Sequence, residues 1–400
     1  MADATPLPPP ASERTGRYLL AQDGRDGFWA FHPQPLPPSP PLAITADVQD
    51  RLDGANQALG RLDGVTLLLP DPDQFLYTFI RKEAVLSSQI EGTQSSLSDL
   101  LLFENDAAPG IPREDAQVTA NYIAAMHHGI GEILRPGGTP LSARLLREVH
   151  AILLQTGRGA EQAPGEFRRD QNWLGGSRPG NARFVPPPWP QVAPAMSDLE
   201  KFLHDQPVAT PVLIKAALAH AQFETIHPFL DGNGRVGRLL ITLVLCSQGV
   251  LERPLLYLSL YLKRNRDAYY DLLQRVRTEG AWEEWLRFFL DGVIEVAEST
   301  TDATRRIVAM IERDRQTIHS MGRGAASAHR VHDLAARYVV VRPAAAARAL
   351  ELTDPPVYAA IGRLESAGIL REVTGRQRGK TYVYDQYLSL LNEGTEPVSG

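Results

Sequence analysis

Apolar residues recur at helical spacing through residues 211–226 (PVLIKAALAHAQFETI), and the same pattern resumes over residues 239–246 (LLITLVLC). Two helices are predicted there, joined by a short polar run rich in glycine. Helical patterning begins near Thr45 and carries a lead-in over residues 46–112, which closes around PGIPRED (109–115). Proline and glycine break the pattern in that run, while Glu114 and Asp115 suit the first turn of a new helix. A helical core over residues 113–295 follows, interrupted by the irregular stretch NWLGGSRPGNARFVPPPWP (172–190). Residues 344–370 read as helix, turn and second helix ended by Gly368, and residues 371–385 alternate around a glycine turn as a hairpin does. Residues 1–45 are rich in proline, notably in PLPPSPPL (35–42), which predicts an extended arm rather than a folded unit. The fold class expected is mainly α.

At 400 residues the chain is too long for one ordinary core, and 43% hydrophobic residues suffice for two or three domains. The boundaries implied are an arm at 1–45, a helical region at 46–112, a core at 113–295 and a C-terminal domain at 300–392. The single cysteine, Cys246, has no partner for an internal disulfide and lies on an apolar helix, so a packing role is expected. The start MADATPLPPP lacks a basic-then-apolar signal, and no apolar stretch approaches the roughly 20 residues that span a bilayer. A cytoplasmic protein without membrane contact is expected. His127 and His128 form no zinc pattern with other ligands, and neither a P-loop nor an HExxH run is present.

Candidate chemistry concentrates in HPFLDGNGRVGR (227–238), between the two apolar helices. Asp231, Gly232, Asn233 and Gly234 predict a tight connection, because Gly and Asn tolerate positive φ and close backbone approach. A helix starting near Gly234 presents amides without intrahelical acceptors, and its dipole favours an anion. Arg235 and Arg238 lie three apart on the first turn, placed to reach phosphate oxygens. Asp231 offers a hard oxygen ligand suited to Mg²⁺ beside a polyphosphate. His227 can move a proton near neutral pH. Each feature alone fits an ordinary helix–helix turn; six such groups at fixed spacing argue for a phosphate-handling site.

The run matches, at every defined position, the HPFxDGNGRxxR signature, and the chain resembles the Fic-domain (Fic/DOC-type) proteins. PGEFRRDQNWLGG (164–176), ARFVPPP (182–188), SDLEKFL (197–203), PLLYLSLYLKRNRDAYYDLL (254–273) and WEEWLRFFLDGV (282–293) extend the likeness across most of residues 46–295. The resemblance implies a Fic helical core with a small β-hairpin flap at 172–190 that registers a target segment by backbone pairing. It implies transfer of AMP from ATP onto a Ser, Thr or Tyr hydroxyl of a target protein, or of the enzyme itself. His227 would be the base, Asp231 would position Mg²⁺, and Gly232, Asn233 and Gly234 would form the anion hole. Arg235 and Arg238 would bind phosphates, the second gripping the γ-phosphate. Tyr269 and Tyr270 fall where the family places aromatics near adenosine, although such a pair is also a common core feature. Homodimers are common in the family.

RKEAVLSSQIEGTQSS (81–96) resembles the family's inhibitory motif, here Ser87 with Glu91 and Gly92. On a helix Ser87 and Glu91 are i and i+4 and share a face, with Gly92 as the helix-ending residue. The resemblance implies that Glu91 competes with the γ-phosphate for Arg238 and latches the site. The same glutamate supplies an alternative activity, de-AMPylation or a bifunctional enzyme, with Glu91 orienting water and His227 protonating the departing hydroxyl.

The C-terminal segment resembles a winged helix-turn-helix. Between residues 301 and 390, Lys and Arg outnumber Asp and Glu, although the whole chain carries a net charge of −6. Arg376, Arg378 and Lys380 on the wing can meet phosphate, so a DNA-binding transcriptional regulator is the alternative of a second class. The recognition-helix candidate, residues 355–366, offers only Arg363 as a long basic side chain, which is poor for base readout.

Overall fold

A computed structural model of the chain describes residues 14–23, 26–66, 72–105 and 113–396. In chain order the elements are β1 (Gly16–Asp23), β2 (Asp26–Pro33), α1 (Ala46–Thr66), α2 (Pro72–Ile90), α3 (Leu97–Glu104), α4 (Arg113–Leu134) and α5 (Ala143–Leu153). Then come α6 (Val192–Leu203), α7 (Val212–Ile226), α8 (Asn233–Ser247), α9 (Ser259–Arg264), α10 (Arg266–Glu279) and α11 (Trp282–His319). The C-terminal elements are α12 (Ala325–Tyr338), β3 (Val340–Val341), α13 (Pro343–Ala349), α14 (Asp354–Ser366), β4 (Leu370–Glu372), β5 (Tyr382–Tyr384) and α15 (Asp385–Asn392). The protein is mainly helical with small strand hairpins, as the patterning predicts. No helix among the described residues is long and apolar enough to cross a membrane.

The chain divides into two compact units, one of Met1–Gly60, Asn121–Glu252 and Tyr261–Glu295, the other of Arg61–Ala120, Arg253–Leu260 and Val296–Gly400. The first is built around α7, whose residues from Leu213 to Ile226 are all buried. Its polar side chains therefore need internal partners. Lys215 pairs with Asp205 at 2.8 Å, Gln222 donates to the Gln34 carbonyl at 2.8 Å, and the Thr225 hydroxyl donates to the Ala221 carbonyl at 2.8 Å. α8 runs back against α7, and the two approach closely because position 237 is glycine. A Cβ there would lie 2.4 Å from Glu224 Oε1 and 3.2 Å from the Phe223 ring.

One sequence expectation is corrected in this unit. Residues 16–33, within the stretch read as an extended arm, form the antiparallel hairpin β1–β2, with Tyr18 opposite Phe31. The prolines cluster after this segment, while YLLAQ and FWAFH carry the apolar and aromatic residues that strands favour. Residues 1–13 of that arm, and the Pro/Gly break at 109–112, lie outside the described residues. The expected flap hairpin reduces to a single antiparallel bridge, Leu174 to Phe184, since the intervening prolines and glycines cannot sustain a ladder. Val185 accepts a 2.8 Å bond from the Phe31 amide, and Phe28, Ala30 and Val185 pack together with Trp173 and Ala182. The β1–β2 hairpin thus braces the flap.

The second unit holds α2 among C-terminal elements. The Thr78 hydroxyl lies 3.4 Å from the Tyr387 hydroxyl, Lys82 donates to the Glu393 carbonyl at 2.8 Å, and the Tyr77 ring meets the Tyr338 ring edge-on. A three-stranded sheet of order β3-β5-β4 packs with α12, α13 and α14, where Val331, Val357, Ile361, Leu364 and Val383 are buried.

Replacing Gly237 by Ala should lower stability by about 1–3 kcal/mol through overpacking at the α7–α8 contact. Thermal melts of the two proteins check this, and an unshifted transition would show that Glu224 moves aside freely.

Candidate functional site

α7 ends where His227 adopts a left-handed backbone, φ 50° and ψ 60°, while its amide still donates to the Phe223 carbonyl at 2.9 Å. Pro228 follows and has no amide proton with which to extend the helix. A non-glycine residue held there costs on the order of 1–3 kcal/mol, so its surroundings must fix it. The Asn233 carboxamide does part of this by clasping one residue at both ends. Its Oδ1 accepts from the Phe229 amide at 2.8 Å, and its Nδ2 donates to the Phe229 carbonyl at 2.8 Å. Gly232, at φ 78°, completes the turn into α8. The first intrahelical bond of α8 runs from the Val236 amide to the Gly232 carbonyl at 3.0 Å, so the amides of residues 233–235 precede it. The expected tight turn and helix N-terminus are both present.

Asp231 keeps 35% of its side chain exposed. Its Oδ1 accepts from the Gly232 amide at 2.6 Å, and its Oδ2 lies 3.5 Å from Arg235 Nη2. It borders an open pocket of about 470 Å³ that residues 157–162 also line. Arg235 and Arg238 are 4% and 2% exposed. The structure therefore brings His227, Asp231, Gly232, Asn233, Gly234, Arg235 and Arg238 to one helix junction.

The tyrosines separate. Tyr269 is 1% exposed and its hydroxyl lies 2.9 Å from His220 Nε2, while His220 Nδ1 lies 2.8 Å from the Gly237 carbonyl. With Nδ1 donating to that carbonyl, Nε2 must accept from the tyrosine. Tyr269 is thus part of the core behind α8. Tyr270 is half-buried, with the Arg266 guanidinium 5.3 Å above its ring.

Sequence reasoning left three groups of contributors unassigned. Arg277 donates to the Thr225 hydroxyl at 3.2 Å and the Glu224 carbonyl at 3.1 Å, with its guanidinium 4.0 Å over the Phe184 ring of the flap. Burial pulls its pKa down to about 10, which leaves it charged at neutral pH. Arg168 and Asn172 sit within segments matched to the family without a role. His150 stacks on Phe229 with centroids 3.7 Å apart, and burial pushes its pKa down to about 4. No spacing rule flags any of these, because each acts across a long sequence separation.

In the second unit, α2 stops at Ile90, one residue before Glu91. The Glu91 amide bonds back to the Ser88 carbonyl at 3.0 Å, and Gly92, at φ 97°, turns the chain out of the helix. Gly92 is thus at the helix end, as its freedom to adopt positive φ leads one to expect. Ser87 is fully buried and Glu91 is exposed, so the shared face expected from i, i+4 spacing is interrupted by the helix terminus.

Comparison with known proteins gives these features a family. The sequence model described as Fic/DOC family N-terminal matches residues 49–131, and that described as Fic/DOC family matches residues 140–245. The chain thus carries a Fic/DOC-family domain over residues 140–245, preceded by that family's N-terminal region over residues 49–131. It is 33% identical over 156 residues to the protein adenylyltransferase Fic of Drosophila erecta, covering 38% of this chain and 28% of that protein. It is 29% identical over 245 residues to the protein of the same name from Aedes aegypti, covering 60% of this chain and 45% of that one. The chain thus spans less than half the length of these relatives. A Fic family protein from Desulfovibrio desulfuricans G20, 20% identical with a TM-score of 0.54, covers 88% of this chain and 98% of its own and shares the fold.

His150, His220 and His332 are all held neutral by burial, with pKa values near 4, 3 and 4. In the unfolded chain each returns to about 6.5. Between those values the unfolded state binds protons that the folded state does not. The stability they contribute is therefore complete above about pH 6.5 and is lost as pH falls toward 4. Urea midpoints should drop across this window, and His150→Gln should flatten the slope. An unchanged slope in that variant would mean that His150 is protonated in the fold.

Proposed function

We propose that this chain is a protein adenylyltransferase that moves AMP from ATP to a hydroxyl side chain of a target protein. The observation that carries the reading is the junction of α7 and α8: a histidine fixed beside a helix N-terminus whose first turn bears two buried arginines. The amides of residues 233–235 and the α8 dipole suit the α-phosphate, where fixed donors stabilise charge developing in the transition state. Arg235 and Arg238 suit the outer phosphates. His227 accepts the proton of the Ser, Thr or Tyr hydroxyl as its oxygen bonds to the α-phosphorus. The bond from that phosphorus to the bridging oxygen breaks, and pyrophosphate leaves with the electron pair.

Among the described residues no cluster of three His, Cys, Asp or Glu side chains is arranged to hold a metal by itself. A single exposed carboxylate beside a polyphosphate is nevertheless the usual donor set for Mg²⁺, which retains waters and phosphate oxygens. Asp231 fits that part. A bound Mg²⁺ would neutralise charge on the nucleotide and orient its phosphates.

Glu91 is read as a latch whose carboxylate competes with the γ-phosphate for Arg238. Its place on the exposed turn that ends α2 supports this, since a terminus can shift at small cost while the buried Ser87 anchors the helix. Tyr270 remains the better candidate of its pair for the adenosine, given the burial of Tyr269.

Residues 343–384 are read as a winged helix. α13 and α14 joined by a short turn, followed by the β4–β5 hairpin, support the reading. The basic side chains Arg376, Arg378 and Lys380 are exposed on the hairpin turn. Arg363 lies over Gly324, where a Cβ would come 2.2 Å from its guanidinium, and Tyr358 is 51% exposed. An α14 surface with its one arginine folded back favours protein contact over base readout. The transferase is therefore preferred to a DNA-binding regulator.

The test incubates wild type, Glu91→Gly and His227→Ala with Mg²⁺ and α-labelled ATP, alone and with cell lysate. Label on protein should rise in Glu91→Gly and fall by about 10²–10⁴-fold in His227→Ala. Equal labelling in wild type and Glu91→Gly would remove the latch. Absence of label in every variant would remove the transferase and turn attention to de-AMPylation of an AMP-modified substrate.

A further inference from the structure

The carbonyls of the α7–α8 loop are gripped from outside the 227–238 run. Arg168 Nε donates to the His227 carbonyl at 3.0 Å, and the Arg168 amide donates to the Pro228 carbonyl at 2.9 Å. Asn172 Nδ2 donates to the Phe229 carbonyl at 2.9 Å. His150 Nε2 lies 3.0 Å from the Asp231 carbonyl. All three residues belong to one segment, 150–172, and none carries a role in the reading above.

The tautomer of His150 follows from its neighbours. The Gly165 amide donates to Nδ1 at 2.8 Å, so Nδ1 carries no proton and Nε2 must donate to Asp231. The imidazole is also the floor of the turn: it lies parallel to Phe229 within 6°, and a Cβ on Gly232 would be 3.4 Å from its Cδ2. Arg168 is 2% exposed and bonds only to carbonyls, the remaining two being Asp170 at 3.2 Å and Pro187 at 2.5 Å. It therefore keeps a full positive charge within hydrogen-bond reach of the loop. Burial takes its pKa down to about 10, still above neutral pH.

A peptide group presents either its N–H or its C=O to an anion, and glycine lowers the cost of exchanging the two by rotation. In the peptide between Asp231 and Gly232 the amide donates to Asp231 Oδ1 at 2.6 Å, and the carbonyl is held by His150. A carbonyl turned toward a phosphate would repel it where an amide would bind. We propose that His150, Arg168 and Asn172 are positioning residues for nucleotidyl transfer. They tether the carbonyls of the loop, so that the start of α8, with the amides of residues 233–235, and the His227 ring hold one orientation toward the α-phosphate. His150 fixes the Asp231–Gly232 peptide, and Arg168 fixes the left-handed His227. This rests on the transferase reading for its rate consequence, but not for its effect on anion binding.

The test compares His150→Met, which keeps volume without a donor, with His150→Gln, whose amide Nε2 replaces the ring donor. Three quantities are measured on the full chain: labelling rate with α-labelled ATP, ATP affinity by calorimetry, and melting temperature. His150→Met should label about 10²-fold more slowly, the usual cost of losing an oxyanion donor, and bind ATP more weakly. His150→Gln should recover most of both at a similar melting temperature. Equal loss in the two variants, or loss that tracks melting temperature alone, would overturn the proposal. Where His150→Met does not fold, Asn172→Asp replaces the donor facing the Phe229 carbonyl with an acceptor; an unchanged rate there would likewise overturn it. Should neither wild type nor Glu91→Gly transfer AMP, the transferase reading fails, while ATP affinity still decides the tether.

Discussion

The two-point bond between the Asn233 carboxamide and the Phe229 peptide is the constraint on which the rest of this structure turns. It spans four residues within the six-residue connection, 227–232, between a helix that has just ended and one about to begin. With Phe229 fixed, Pro228 and His227 can only leave α7 through the left-handed region, and Gly232 can only enter α8 at positive φ. The dipoles of the turn are then ordered: amides ahead of α8, carbonyls toward the 150–172 segment. A Gln at position 233 would carry the same group on a longer arm and miss this geometry.

Rigidity around this junction comes from buried polar side chains that meet internal partners. α7 has no solvent face, yet it carries Lys215, His220, Gln222 and Thr225, each with a short internal bond. Removing one partner would leave a buried polar group unsatisfied, at a cost of roughly 1–3 kcal/mol. Such a helix has few alternative positions. The flap and the β1–β2 hairpin form a different kind of support, joined by one backbone bond and a small apolar cluster. The stiff parts lie at the α7–α8 junction, and the lightly paired part lies at residues 174–185.

In the second unit, the helix that carries Ser87 and ends just before Glu91 is threaded among C-terminal elements. Gln89, two residues before Glu91, donates to the carbonyls of Ser95 and Thr395, both at 2.8 Å. The turn carrying Glu91 is therefore framed by contacts more than 300 residues away in sequence. The sequence places Glu91 by its spacing from Ser87, but the end of α2 at Ile90 changes which way each points.

What the sequence determined by itself is local: the apolar periods of α7 and α8, the turn chemistry of DGNG, and the spacing of His227, Asp231, Arg235 and Arg238. These are properties of neighbours along the chain, where backbone geometry translates spacing directly into placement. It misjudged residues 16–33 because proline content outweighed the strand-favouring residues of β1 and β2. It left Tyr269 and Tyr270 undivided, since only the packing of α10 against α7 decides which ring is buried. Only the tertiary structure decided the tautomer of His150, the unpaired charge of Arg168 and the bond of Asn172 to Phe229. The bonds these three residues make to the loop carbonyls cross 55 to 81 residues of chain, and no periodicity records which distant carbonyl a buried donor will meet.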